Sequence, residues 1–315
     1  GLDQWLKLGF IPTGAPSWGG GADTLELSTA EFGVSSLAAR LGEPDVSARF
    51  LRRAQNWRNL FNPKAAPDGG YIQNRDADGT WALVSDRDDG AARHPFTPST
   101  EDGFVEGTAA QYVWMLPFNV RGLFEAMGGV DAATRRLDAY FYTPDGAMAV
   151  TNAGPLHAEL NNEPSIGDPW LYDYAGRPWK TQELVRRVQD TLWVNTPAGI
   201  PGNDDLGAMS SWYVWSALGL YPETPGRAEL VLGSPLFARI VVRRPMGDLT
   251  IQAQGAPSAG PYVAGLKVDG VESRRPWLPE SFALKGGRLD FELAAQPRKA
   301  WGDDLKDAPP SFDAR

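Results

Sequence analysis

The hydrophobic period of the chain changes once. Up to about residue 220 apolar residues recur mostly at helical spacing, and beyond "YPETPGR" they alternate. In 24–41, Ala30, Val34, Leu37 and Leu41 share a predicted helix face, and Gly42 supplies the stop. A second helix is predicted over 45–60, with Val46, Phe50, Ala54, Trp57 and Leu60 on its apolar side. Helical pattern returns at 107–127, interrupted by Pro117, and again at 131–141, 180–194 and 207–220. Two loop-rich stretches separate these, 61–104 and 142–179. The first carries "PDGGY", "RDADGTW" and "SDRDDGAARHP", whose Gly, Asp and Pro residues read as turns and short extended pieces.

After residue 225 the runs are short: "LVLG", "FARIVVRR", "LTIQAQG", "YVAGLKVDG" and "GRLDFELA". Leu289, Phe291 and Leu293 alternate with Asp290 and Glu292, the period of a half-buried strand. The expected fold is therefore α plus β with segregated parts, not an alternating α/β array. The expected domains are a helical region over 1–225, an antiparallel, sandwich-like β region over 226–303, and a tail over 304–315.

Composition narrows the functions. Apolar residues make up 42% and charged residues 22% of the 315 positions, an ordinary globular balance. The net charge is −9 and no basic stripe interleaves with aromatics, so neither nucleic acid nor an anionic membrane is an expected partner. Without cysteine there is no thiol nucleophile and no zinc-thiolate site. The 12 Trp suit either an aromatic core or a cleft in which flat indoles meet the C–H faces of sugars.

Catalytic options are equally restricted. The two histidines, His94 and His157, have no GxSxG elbow beside them, and no GxGxxG or GxxxxGK[ST] offers a phosphate cradle. Carboxylates, amides and aromatics remain, and those are the tools of glycoside hydrolysis. Three acidic loci stand beside aromatics. In "DGFVEGTAAQYVWMLP", Glu106 precedes a predicted helix and has the simpler reading of complementing its dipole. In "LNNEPSIGDPWLYDYAGRPWKTQ", Glu163 follows two asparagines, a solvated turn or a set of hard oxygen donors such as Ca²⁺ takes. In "PGNDDLG", Asn203 or Asp204 caps the helix that follows, but one Asx residue suffices for that. A second carboxylate needs a compensating cation, sugar or proton. "DADG" at 76–79 and "DRDDG" at 86–90 lack the full spacing of an EF-hand loop and read as hydrated turns.

Taken together, "TLELSTAEFGVSSLAARLG", "VEGTAAQY", "LPFNVRGLFEAMGG", "NNEPSIGDPWLYDYAGRPWKTQ", "PGNDDLGAMSSWYVWSALGLYP" and "LGSPLF" resemble glycoside hydrolase family ninety-two, the calcium-dependent, inverting exo-α-mannosidases. The resemblance covers nearly the whole chain. It implies part of an (α/α)₆-type toroid with β-structure packed against it. It puts the general acid at Glu106 and the general base at Asp205, with Asp204 sharing that role or orienting the water. Glu163, Asn203 and Trp170 are the implied substrate-binding residues, and Asn162 and Glu163 the implied metal ligands. Ca²⁺ on O2 and O3 of a terminal mannose, an extracytoplasmic location and a mannose-containing glycan as partner follow from the same resemblance. An N-terminal β-sandwich part of the same polypeptide is expected too. Where many members carry histidines after "NEPS", this chain has Ile166, Gly167 and Asp168, a departure that bears on the leaving-group subsite. A non-catalytic carbohydrate-binding protein using the same aromatic cleft is the competing reading.

Overall fold

A computed structural model describes residues 1–85 and 92–313. The "DRDDG" turn expected at 86–90 lies outside the described residues. The chain forms two compact units, Gly1–Ser165 with Ser311–Arg315, and Ile166–Pro310. The expected boundary at 225/226 marks where helices give way to strands, whereas the units divide between Ser165 and Ile166.

The first unit contains α1 (Leu2–Leu8), α2 (Gly20–Arg40), α3 (Pro44–Ala54), the hairpin of β1 (Phe61–Ala66) with β2 (Gly69–Ile72), and the short pair β3 (Val84–Ser85) with β4 (Arg93–His94). It continues through α4 (Ala109–Tyr112), α5 (Val120–Ala126) and α6 (Val130–Phe141). Its core is aromatic, with Trp5, Trp57, Trp114, Phe118, Phe124 and Phe141 fully buried. The tail returns to this unit: the Phe312 N–H donates to the Phe118 carbonyl at 2.8 Å, and Arg58 pairs with Asp313 at 3.1 Å.

Helix α2 exists as expected, but its buried face differs. Val34, Leu37 and Leu41 are exposed, Leu37 by 57%, while Ala22, Leu25, Ser28, Phe32, Ser35 and Ala38 are buried. Small residues let α2 lie close to α3, and the hydroxyls buried there find partners: Ser35 Oγ donates to the Ser47 carbonyl at 2.8 Å, and Ser28 Oγ to the Thr24 carbonyl at 2.8 Å. Close approach, with Ser28 and Ser35 bonded, outweighs the larger apolar area of the other stripe.

The second unit begins with a 3-10 turn at Asp168–Trp170 and α7 (Leu171–Tyr174), then α8 (Pro178–Leu192) and α9 (Ala208–Leu218). Strands follow: β5 (Leu220–Tyr221), β6 (Leu230–Leu232), β7 (Arg239–Val242), β8 (Leu249–Gln252), β9 (Tyr262–Val268), β10 (Val271–Ser273) and β11 (Trp277–Leu278), then α10 (Glu280–Lys285) and β12 (Gly287–Ala294). Leu289 and Phe291 point into a core with Leu232, Ile251, Val263, Leu266 and Leu278, as their alternation predicts. The five-stranded sheet runs β10-β9-β12-β8-β7 and is mixed, not purely antiparallel, because β12 lies parallel to β8. The α10 crossover before β12 is what allows that direction.

Candidate active site

Two of the three expected acidic loci meet in the first unit. Asn162 Nδ2 donates to the Glu106 carbonyl at 2.7 Å, which ties the 162–163 loop to the 103–107 loop. Each loop has its own anchor. Ser165 is buried, and its hydroxyl lies 2.8 Å from the Tyr140 hydroxyl of α6. Beneath Glu106, the Tyr112 hydroxyl donates to the Val105 carbonyl at 2.7 Å. Just beyond it, Thr108 and Gln111 form a capping box that starts α4. Thr108, not Glu106, is the cap, and a four-residue helix gives Glu106 little dipole to complement.

The backbone of Glu106 is left-handed, with φ 52°, a region that non-glycine residues enter rarely and at a cost of about 1–3 kcal/mol. The side chain is exposed and lines a cavity of about 420 Å³ together with Glu163, Asp23, Glu26, Tyr112 and Trp18. Asp23 and Glu26 stand three positions apart on the first turns of α2, hence on one face. Burial, assisted by the charge of Asp23, raises the pKa of Glu26 above the ordinary glutamate value. Burial likewise pushes the Tyr112 phenol up to about 12, and Glu26, Glu106 and Asp23 act in the same direction. Tyr112 thus stays a hydrogen-bond donor at neutral pH.

A larger cavity of about 660 Å³ also opens on this unit, walled by Tyr71, Trp114, Tyr140, His157 and Arg136. Arg136 lies 3.5 Å above the Tyr71 ring. None of the expected site residues reaches this cavity. The smaller space is the stronger candidate because the expected Glu106 and Glu163 line it.

The third locus belongs to the second unit, where residues 203–206 are exposed. Asp204 Oδ1 accepts the Ser210 N–H at 2.8 Å, and its carbonyl accepts those of Gly207 and Met209. Asp204 therefore ties down the first turn of α9, whereas the Asp205 carboxylate is left exposed. Asp205, Leu206 and Gly207 are consecutively left-handed, with φ 46°, 57° and 99°. Asn203 is exposed on the same loop.

Trp170 does not reach a substrate. It is 0% exposed, stacked on Tyr221 at 3.8 Å and 11°, with Trp212 edge-on at 5.5 Å. Trp170, Trp212 and Tyr221 pack on one another within the second unit. The residues missed from sequence are Trp18, Asp23 and Glu26. Their one signal is "SWGGGAD", in which three glycines before a helix announce a close backbone approach.

Calcium takes six to eight oxygens. Asn162 and Glu163 are neighbours, and the Asn162 amide is already engaged: Oδ1 accepts the Glu163 N–H at 3.1 Å and Nδ2 serves Glu106. Among the described residues no group of three or more Asp, Glu or His is placed to hold a metal ion. The donors present do not fit a calcium shell on their own.

Residues 1–295 match the model of the glycosyl hydrolase family 92 catalytic domain. A family GH92 alpha-mannosidase from Bacteroides thetaiotaomicron superposes with a TM-score of 0.86 at 29% identity, over 99% of this chain and 39% of the other. A family GH92 inverting mannosidase of the same bacterium gives 0.84 at 31% identity, over 99% and 42%. An uncharacterized secreted glycosidase of Arthroderma benhamiae is 28% identical over 342 aligned positions, covering 100% of this chain and 41% of the relative. The chain thus spans about two fifths of the length of these proteins. Among the described residues no helix is long and apolar enough to cross a membrane.

Proposed function

Because the chain belongs to glycosyl hydrolase family 92, we propose that it hydrolyses terminal α-mannosides of glycans with inversion, Glu106 acting as general acid and Asp205 as general base. The observation that carries this reading is the setting of Glu106. A glutamate is held in a costly left-handed backbone, its carbonyl is gripped by Asn162, and its side chain lies on a cavity wall. Such an expenditure of strain supports a role that depends on where the carboxyl points.

In the proposed reaction Glu106 gives its proton to the glycosidic oxygen as the C1–O bond breaks. Asp205 takes a proton from the water that attacks C1 from the opposite face. Asp204 lends one carboxylate oxygen to the Ser210 N–H, which supports a loop-orienting role for it and supports Asp205 as the base. Glu163 and Asn203 are proposed to hydrogen-bond sugar hydroxyls.

The finer architecture belongs to the same proposal. On the family resemblance, the helices are part of an (α/α)₆-type toroid, the strands part of a β-sandwich, and an N-terminal β-sandwich part completes the polypeptide. An extracytoplasmic location is proposed with support from the relative described as secreted.

Proton NMR of an α-mannobiose digest tests the reading. β-Mannose is expected as the first-formed anomer, and α-mannose appearing first excludes inversion. Glu106→Gln and Asp205→Asn are each expected to lower kcat by about 100-fold or more. Wild-type rates in both variants defeat the assignment of these two residues, and a wild type that binds mannosides without hydrolysing them leaves a sugar-binding protein.

A further inference from the structure

Trp18 is 89% exposed, the one exposed tryptophan among the described residues, and it lines the cavity that holds Glu106. An indole left in water forgoes a large burial gain. The backbone around it is nevertheless fixed. Upstream, the Thr13 N–H donates to the Arg75 carbonyl at 2.9 Å. Downstream, a Cβ on Gly19 would come within 2.6 Å of the Gly103 carbonyl oxygen, and one on Gly21 within 2.7 Å of the Phe104 ring. The Ala22 N–H closes the contact by donating to the Gly103 carbonyl at 3.0 Å. Trp18 and Glu106 are therefore mounted on two segments that touch directly, one residue before the first contact and two residues after the last.

We propose that Trp18 is the stacking platform for the leaving-group sugar, and that this sugar is a neutral pyranose and not a phosphate-bearing group. The proposal rests on Glu106 being the general acid. In an exo-acting site the terminal sugar enters the cavity and the remainder of the glycan points outward. A rim indole meets that outward ring on its C–H face while Glu106 protonates the oxygen joining the two sugars. The same cavity is lined by Asp23 and Glu26, which accept hydrogen bonds from hydroxyls. No Lys, Arg or His is among the described residues lining this cavity, so a phosphate would meet four carboxylates and no cation.

The intact protein, Trp18→Ala and Trp18→Phe are compared on an α-mannobiose, on α-mannosyl fluoride, whose leaving group has no ring to stack, and on a mannosyl phosphodiester. Trp18→Ala is expected to raise KM for the mannobiose about tenfold and to keep kcat/KM for the fluoride within about twofold. Trp18→Phe is expected to recover most of the loss, and the wild type to prefer the mannobiose to the phosphodiester. Equal losses on mannobiose and fluoride, no loss on either, or a preference for the phosphodiester overturn the proposal. Calorimetric titration of mannobiose into Glu106→Gln, with and without Trp18→Ala, reads the platform without turnover. A wild type that hydrolyses no mannoside defeats the mannosidase reading alone, whereas an unchanged calorimetric affinity defeats the role of Trp18.

Discussion

Asn162 donates its side-chain N–H to the main-chain carbonyl of Glu106 at 2.7 Å, joining positions 56 apart in the chain. The amide touches no carboxylate of the proposed acid, yet it fixes the peptide from which that side chain projects. Asn162→Ala removes the donor. The expected result is a loss of about 1 kcal/mol in stability and a tenfold or larger fall in kcat, with KM nearly unchanged. Urea denaturation and steady-state kinetics on one preparation check both.

Glu106 occupies a conformation that glycine adopts at no steric cost. Glu106→Gly is accordingly expected to keep or raise the melting temperature while hydrolysis disappears. A variant that loses both would show that the left-handed backbone is not a site of strain.

The two aspartates of "NDD" should separate in the same pair of assays. Asp204→Ala loses the bond to the Ser210 N–H and is expected to cost about 1 kcal/mol of stability. Asp205→Ala leaves that bond in place and is expected to stay within about 0.5 kcal/mol of wild type while activity is lost.

Asp173 and Glu223 are buried carboxyls of the second unit. Burial raises Asp173 well above the usual aspartate value. Burial, with the charges of Asp168 and Asp173, raises Glu223 in the same sense. For an acid raised on folding, the protonated form is favoured in the native state. Its stability contribution is complete below the unfolded values near 4 and is lost as pH rises through the folded values. Asp173→Asn is expected to flatten this decline, gaining melting temperature relative to wild type more at pH 8 than at pH 5. Thermal unfolding across that range measures it, and parallel curves for the two proteins would count against a raised Asp173.

Chelation is expected to leave the melting temperature of this chain unchanged, since the Asn162 side chain is already engaged with the Glu106 carbonyl and the Glu163 N–H. Scanning calorimetry with and without EDTA is the measurement, and a fall of several degrees would reveal a structural cation.

Legibility in the sequence followed the range of the interactions involved. The local pattern located α2, α3, α6, α8, α9 and the strand alternation at 289–293, because capping, glycine stops and period are encoded within a few residues. Which face of α2 is buried was not local: it depended on a neighbour close enough to prefer Ser28 and Ser35 over Leu37. The motifs naming Glu106, Asn162 and Glu163 were legible, but the hydrogen bond that joins them was not. Trp170 misled because an aromatic beside acidic motifs looks alike whether it serves a sugar or stacks on Tyr221. Trp18 escaped notice for the opposite reason, sitting outside any acidic motif until the fold folded its loop against residues 103–104.

The same exposure that leaves Trp18 in water makes it a built-in optical probe. The other eleven indoles are buried or partly so, and their emission reports the integrity of the fold. A red-shifted component, quenchable by iodide and lost in Trp18→Phe, would isolate a signal from the cavity mouth alone. Occupancy of that mouth could then be followed in real time on an unlabelled protein.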